Sequence, residues 1–357
     1  MGKDIGELNR GTGILLLCPS CHAHLSRDES VLECGGCRRK YHISEGIPNF
    51  LKDSEQEAVI FYENWHRDPH KVYNLSGIGR VIKESPCIKK YSRFFKYLLY
   101  TQFKRERFFG TVANMLRRRY REPRILDLGC GGGNPELLNA GVLYGVDYSP
   151  TSLKYSLARQ SYAMLINCNA AQLPFEAETF DCLVSSDFIG HVPPQEKEKL
   201  FSEMSRVLKK GGLCAHVIET DSDNFVKEFA KKYPDLYHRY FIEGIGGHYG
   251  LEMPAVVLQR FRAAGLQPLK VRKYYSYIWD IESFIALFDN EYRKNSFLLR
   301  GVLSCYKLLC KNITTKVIAT MFLGFFSYLT DLVSPLNKAE GIMVICTKIT
   351  KDTLSSG

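Results

Sequence analysis

The run Ile125-Leu126-Asp127-Leu128-Gly129-Cys130-Gly131-Gly132-Gly133-Asn134 constrains this chain of 357 residues more than any other. Apolar residues lead into four glycines, so a buried strand must end in a turn whose backbone passes close to a neighbour that a Cβ would exclude. Asn134 and Pro135 are the residue types of a helix N-cap and a first helical position, and the spacing predicts a helix from there. Strand, glycine turn and helix in that order belong to a parallel α/β sheet that binds its ligand at the carboxyl edge. One candidate ligand class is excluded by spacing. The dinucleotide fingerprint G-x-G-x-x-G needs a third glycine, but that place holds Asn134 counting from Gly129 and Glu136 counting from Gly131.

Residues 122–280 keep the α/β alternation. Arg124–Leu128, Leu143–Asp147, Cys182–Ser186 and Leu213–Glu219 read as strands, and Gln195–Lys209 and Ala255–Ala264 as helices. Asp147 ends the second strand 20 residues after Asp127, where a carboxylate can accept both hydroxyls of a ribose. The ring of Tyr148, next in line, suits the face of an adenine. Asp127 and the glycines resemble the D/E-x-G-x-G-x-G loop of class I S-adenosylmethionine-dependent methyltransferases. Asn169-Ala170-Ala171-Gln172-Leu173-Pro174-Phe175 resembles their D-A-x-x-L-P-F, and Phe180-Asp181, His191-Val192 and Arg206–Gly212 follow in the family's order.

From Ile125 to about Glu219 the chain is thus similar to the methyltransferase-11, quinone-methyltransferase-like group. The resemblance implies a Rossmann-like sheet and S-adenosylmethionine as cofactor. It implies a binding set of Asp127, Gly129, Gly131, Gly133, Asp147, Tyr148, Asn169, Ala170 and Ser185. Asn169 stands where the family usually has Asp; its carboxamide oxygen can still accept from the adenine amine, without the charge.

Ahead of this lies a second strong pattern. Cys18-Pro-Ser-Cys21 and Cys34-Gly-Gly-Cys37 are two C-x-x-C knuckles, each aiming two thiolates at one ion, which together complete a tetrahedral shell suited to structural Zn²⁺. About 50 residues bury too little core to fold alone, so the metal is expected to supply the missing stability. His22, His24 and His42 read as surface residues. The segment 14–51 resembles a Trm112-like zinc ribbon; such ribbons accompany or activate methyltransferases without choosing their substrate.

The composition bounds the surroundings. Twelve cysteines raise the question of disulfides, but the eight outside the knuckles are scattered through apolar segments, the usage of a reducing compartment. Ile14–Leu17 is too short for a signal-peptide core, and Gly6 stands where a myristoylation signal needs Ser or Thr. The expectation is a cytoplasmic protein, or one peripheral at a membrane. The net charge of +10 is local: from Lys83 to Arg124 there are 13 Lys/Arg and 3 acids, a surplus equal to that of the whole chain. A basic, aromatic stretch fits an anionic membrane surface or RNA, or a plain solvated helical face.

The expected organisation is a ribbon at 1–54, a basic aromatic helical segment at 55–121 and the Rossmann-like domain at 122–280. An apolar helical insertion or lid at 281–336 and the last strand and tail at 337–357 complete it. Phe94, Tyr97 and Leu98, then Phe108, Val112 and Met115, carry the helical spacing of the second part. Lys270–Tyr277 and Gly341–Lys348 read as the final hairpin. The insertion interrupts it with the apolar stretches Phe297–Lys311 and Val317–Thr330. The latter is 14 uncharged residues, too short to span a bilayer and suited to a buried, lid or interfacial helix.

Methyl transfer from a sulfonium needs in-line positioning and exclusion of water, with a base only for a hydroxyl or protonated nitrogen acceptor. Ser185, Ser186, Asp187 and His191 follow the fourth strand and face the donor. His191 is a candidate base, or a residue that caps the next helix and shapes the pocket. His248 and Tyr249, in the glycine-rich loop Gly244–Gly250, are candidates for closing over the acceptor, or part of a plain loop. Three functions follow: a methyltransferase for a small-molecule, hydrophobic or lipid-like acceptor, an RNA methyltransferase, or a non-catalytic binding protein that kept the fold. Ser185-Ser186-Asp187-Phe188 lacks the NPPY-like sequence of nucleic-acid amino methylation, which weighs against the second.

Overall fold

The protein is described from a computed structural model at residues 13–65, 86, 100–159, 162–238, 242, 247–276, 297, 300–301, 304–305, 308 and 311–349. Phe94, Tyr97 and Leu98, most of the basic stretch before Tyr100, Gly244 to Gly246 and residues 281–296 lie outside the described residues, as does Tyr277.

The ribbon comes first. Strands β1 (Leu25–Asp28), β2 (Val31–Cys34), β3 (Lys40–Ser44) and β4 (Ile47–Pro48) form an antiparallel meander in that order. It is not an appendage. Leu17 donates to the Pro174 carbonyl at 2.9 Å, Phe50 donates to that of Asn167 at 2.8 Å, and Asn49 bridges Asn167 in parallel. The apolar core runs on from Leu16, Leu32, Tyr41 and Phe50 into Ile166, Leu173 and Phe175. Helix α1 (Gln56–Trp65) follows the ribbon, and α2 (Tyr100–Arg119) leads into the main sheet.

That sheet has seven strands: β5 (Arg124–Leu128), β6 (Val142–Asp147), β7 (Met164–Asn167), β8 (Phe180–Ser186), β9 (Leu208–Glu219), β10 (Leu266–Tyr274) and β11 (Gly341–Lys348). Their spatial order is β10-β11-β9-β8-β5-β6-β7. β7, β6, β5, β8 and β9 run parallel, and β11 inserts antiparallel between β9 and β10. Buried apolar runs such as Ile125-Leu126 and Cys182-Leu183-Val184 are what a parallel strand covered on both faces requires. This is the expected Rossmann-like sheet, with β7 the edge that the ribbon covers. An uncovered edge would offer unpaired backbone groups to other chains.

Helices α3 (Pro150–Ala158), α4 (Pro194–Val207), α5 (Phe225–Lys231), α6 (Pro234–Tyr237) and α7 (Pro254–Ala263) connect the strands. The helix expected at Gln195–Lys209 ends two residues early, because Leu208 is already buried beside Phe180 as the first residue of β9. The insertion yields α8 (Ile313–Val333), packed against α2 and β10. Its sidedness is inverted. Ser327 and Asp331 are buried with Gly324, while Ile318, Phe322, Phe325, Phe326, Leu329 and Leu332 face outward; Phe322 is 69% exposed and Leu332 60%. Among the described residues no helix is long and apolar enough to cross a membrane.

Candidate active site

The strand order reverses at β5, with β6 on one side and β8 on the other, and ligands of open α/β sheets bind at such a switch point. The glycine turn leaves β5 there. Gly129 has φ +64°, and a Cβ on it would run into the ring of Phe188, so glycine is required on both counts. The helix expected after the turn is not formed. Pro135–Leu137 is a single 3₁₀ turn, the Asn134 side chain makes no cap bond, and Gly141 abuts Pro123 at the start of β6. Only seven residues separate Asn134 from β6, too few for several helical turns and a return to the sheet.

Asp147, at the carboxyl end of β6, accepts from the Gly131 N–H (2.8 Å) and from the Ser149 N–H (2.8 Å). It therefore lies beside the glycine turn, as a ribose-binding carboxylate must. Asp127 is buried beneath the turn. It accepts from the Tyr162 hydroxyl at 2.8 Å, and that oxygen accepts from the Asn134 N–H at 3.2 Å, so Asp127 anchors the loop from below. Burial pushes its carboxyl up to about 7 against the pull of Tyr162, with the nearby Asp147 charge adding to the rise. The positive-φ glycines at 129, 131 and 133, the adjoining Asp147 and the Tyr148 ring fit the nucleoside and amino-acid parts of S-adenosylmethionine.

Helix α1 roofs this place, which the sequence did not disclose. Glu63 accepts from Ser149 Oγ (2.6 Å) and Thr151 N (3.1 Å), fastening α1 to the start of α3. The Tyr62 ring stacks on Tyr148, with centroids 6.1 Å apart and planes 16° apart. Glu55 accepts from the Tyr148 hydroxyl (3.1 Å) and the Asn169 amide (2.7 Å). Asn169 accepts the Ala171 N–H on its carboxamide oxygen (2.8 Å), which orients the side chain and leaves that oxygen one further lone pair. The carboxylate at this corner belongs to Glu55, from the far side of the chain. No local pattern could have flagged Glu55, Tyr62 or Glu63 as site residues.

Ser185 needs a correction. It is fully buried, with its hydroxyl 2.8 Å from His216 Nδ1, and serves the contact of β8 with β9 rather than a cofactor. Ala170 is buried beneath the Asn169 turn. Asp187 pairs with Arg105 of α2, and Lys104 lies over the rings of Tyr274 and Tyr275. Part of the basic segment is thus spent on internal contacts, and the solvent-facing remainder includes Arg117, Arg118 and Arg119.

The candidate catalytic residues converge. His191 ends the turn Ile189–His191, His248 lies in the loop before α7, and their rings sit 4.4 Å apart. Gly250 makes the approach possible: its N–H donates to the Gly190 carbonyl at 2.9 Å, and a Cβ there would meet the carbonyl of Val192. Buried Lys197 donates to the Gly250 carbonyl and reaches Glu252 at 3.2 Å, pinning the loop. Tyr249 is half exposed against Phe61. A residue missed in sequence, Glu219 at the carboxyl end of β9, stands 3.7 Å from His248 Nε2. Its position at a strand end, where α/β ligands bind, was the available signal.

In the ribbon all four Cys Sγ lie within 4.8 Å of one another, with Cys21–Cys34 at 3.4 Å and Cys18–Cys37 at 3.6 Å. Four thiolates at about 2.3 Å from one Zn²⁺ stand about 3.8 Å apart, so the set fits that ion.

Comparison with known proteins agrees with this geometry. Residues 126–216 match the family described as a methyltransferase domain. An uncharacterized methyltransferase of Synechocystis sp. is 32% identical over 97 residues, 26% of this chain and 46% of that protein. A phosphatidylethanolamine N-methyltransferase of Cereibacter sphaeroides is 32% identical over 118 residues, 29% and 57% of the two chains. A probable tRNA methyltransferase 9B of Homo sapiens is 34% identical over 90 residues, 25% and 19%. The match spans less than two thirds of each relative.

Proposed function

We propose that this chain, which carries a class I S-adenosylmethionine-dependent methyltransferase domain, transfers a methyl group to a small hydrophobic or lipid-like acceptor at an anionic membrane surface. S-Adenosylmethionine supplies an electrophilic methyl group when bound. Asp147 and the turn at Gly129–Gly133 hold its nucleoside and amino-acid parts, and the rings of Tyr148 and Tyr62 and helix α1 keep water from it. The acceptor then meets the carboxyl ends of β8 and β9, where His191, His248 and Tyr249 orient it.

The observation that carries the acceptor class is the inverted helix α8. Six large apolar side chains on its outer face leave water only when an apolar phase covers them, at roughly 2 kcal/mol per side chain. Basic α2 packs beside it, which suits anionic headgroups. The likeness to a phosphatidylethanolamine N-methyltransferase points the same way. The RNA reading keeps the ribbon and the tRNA-methyltransferase relatives in its favour, but Lys104 is engaged by the rings of Tyr274 and Tyr275 and Arg105 by Asp187.

Flotation with anionic phospholipid vesicles tests the proposal. The protein floats with them, a Phe322→Asp/Leu329→Asp variant does not, and neither is retained on immobilised RNA at moderate salt. RNA retention without flotation would reverse the assignment. Mass spectrometry of lipid extracts incubated with labelled cofactor then identifies the acceptor.

A further inference from the structure

We infer that His191, Glu219 and His248 form a second metal site, distinct from the ribbon, which binds a divalent transition ion of the zinc or iron(II) class at the acceptor side of the pocket. Each residue offers one ligand atom, and the three lie within 4.8 Å of one another. Three chain segments bring them together: the turn after β8, the end of β9 and the loop before α7. Two imidazoles and one carboxylate, with further positions open, is the donor set of catalytic zinc and of non-haem iron(II). Magnesium and calcium prefer oxygen ligands throughout.

Two further observations point to a cation. Glu219 Oε2 is shut off from water and has no hydrogen-bond partner, and its Oε1 is 3.7 Å from His248 Nε2, beyond a good hydrogen bond. A carboxylate oxygen shut off from water and left unpaired is costly until a cation meets it. The second observation concerns orientation. His191 Nδ1 lies 3.3 Å from the Gly247 carbonyl oxygen, and a proton held there makes Nε2 the electron-pair donor, the usual outer-shell arrangement of a metal-bound histidine.

Resting on the methyltransferase reading, the site names the acceptor class as a lipid-like alcohol or phenol. Its oxygen takes an open position on the ion and releases its proton to water. The oxygen pair then forms the O–C bond as the S–C bond breaks, and that bond's electrons return to sulfur, giving a methyl ether and S-adenosylhomocysteine.

Metal stoichiometry of the full chain tests the site without an activity assay. Metal-free protein titrated with Co²⁺ takes up two equivalents: one with the intense thiolate charge-transfer band of the ribbon, one with only weak d–d absorption. Glu219→Gln and His191→Ala each lower the total from two to one and keep the thiolate band, which also shows that the variant has folded. Uptake of one equivalent by the unaltered protein, or of two by both variants, overturns the inference. S-Adenosylhomocysteine titration of the same samples separates the two readings. Two cobalt ions without nucleoside binding would leave the metal site standing and end the methyltransferase reading; nucleoside binding with one ion would do the reverse.

Discussion

The carboxylate of Asp147 accepts the backbone N–H of Gly131 at 2.8 Å, tying the end of β6 to the turn that leaves β5. The residue expected to grip a ribose thus also sets the shape of the loop that cradles the rest of the cofactor.

Asp147→Ala removes two charge-assisted hydrogen bonds and the ribose acceptors together. Such bonds contribute about 1.5–3 kcal/mol each, so affinity for S-adenosylhomocysteine should fall by about 100-fold or more. Asp147→Asn, which keeps one acceptor oxygen, should lose less. Isothermal titration measures both, and wild-type affinity in the alanine variant would refute the assignment.

The corner formed by Glu55 and Asn169 predicts a reversal of the family's usual preference. Asn169→Asp, nominally a return to the common residue, places a carboxylate against that of Glu55, which the Asn169 amide meets at 2.7 Å. It should lower the melting temperature and weaken cofactor binding. Glu55→Gln in the same chain should restore both, with a coupling on the order of 1 kcal/mol or more. A double-mutant cycle with no coupling would show that the contact carries no energy.

Asp127 makes stability depend on pH in a definite direction. Its carboxyl is raised from 3.8 to about 7 in the fold. Between those values the folded state binds more protons than the unfolded one, so this residue's contribution is full below about pH 4 and is lost as pH rises through 7. Asp127→Asn lacks that slope. Urea titrations from pH 4 to 8 should show the variant gaining on the wild type by up to a few kcal/mol. A constant difference across the range would mean that Asp127 stays ionised throughout.

Removing zinc should act beyond the ribbon. The ribbon covers β7 through Phe50, holds the segment after it through Leu17 and Pro174, and delivers α1 to the site. Chelation, or Cys34→Ser, should therefore lower the melting temperature by several degrees and weaken S-adenosylhomocysteine binding as well. Destabilisation with intact binding would show that α1 holds its place without the ribbon. Calorimetry of the chelated protein decides between them.

The sequence by itself determined what depends on short spacings. Two C-x-x-C pairs specify a thiolate cage, four glycines after an apolar strand specify a ligand turn, and alternating elements with Asp147 at a strand end specify a Rossmann-like sheet. Each pattern is read from residues a few places apart, and local geometry converts it directly into structure. The tertiary structure alone decided what depends on convergence. Glu55 reaches Asn169 across 114 positions, and Glu219 meets His191 and His248 from three different segments. Ser185 was lost to the core because strand alternation turned it towards His216. Val317–Thr330 read as an apolar helix, but which side faced out was set by packing against α2 and β10, which claimed Ser327 and Asp331 and left the phenylalanines outside. Side-chain type fixes what a residue can do, and only packing fixes which partner it does it with.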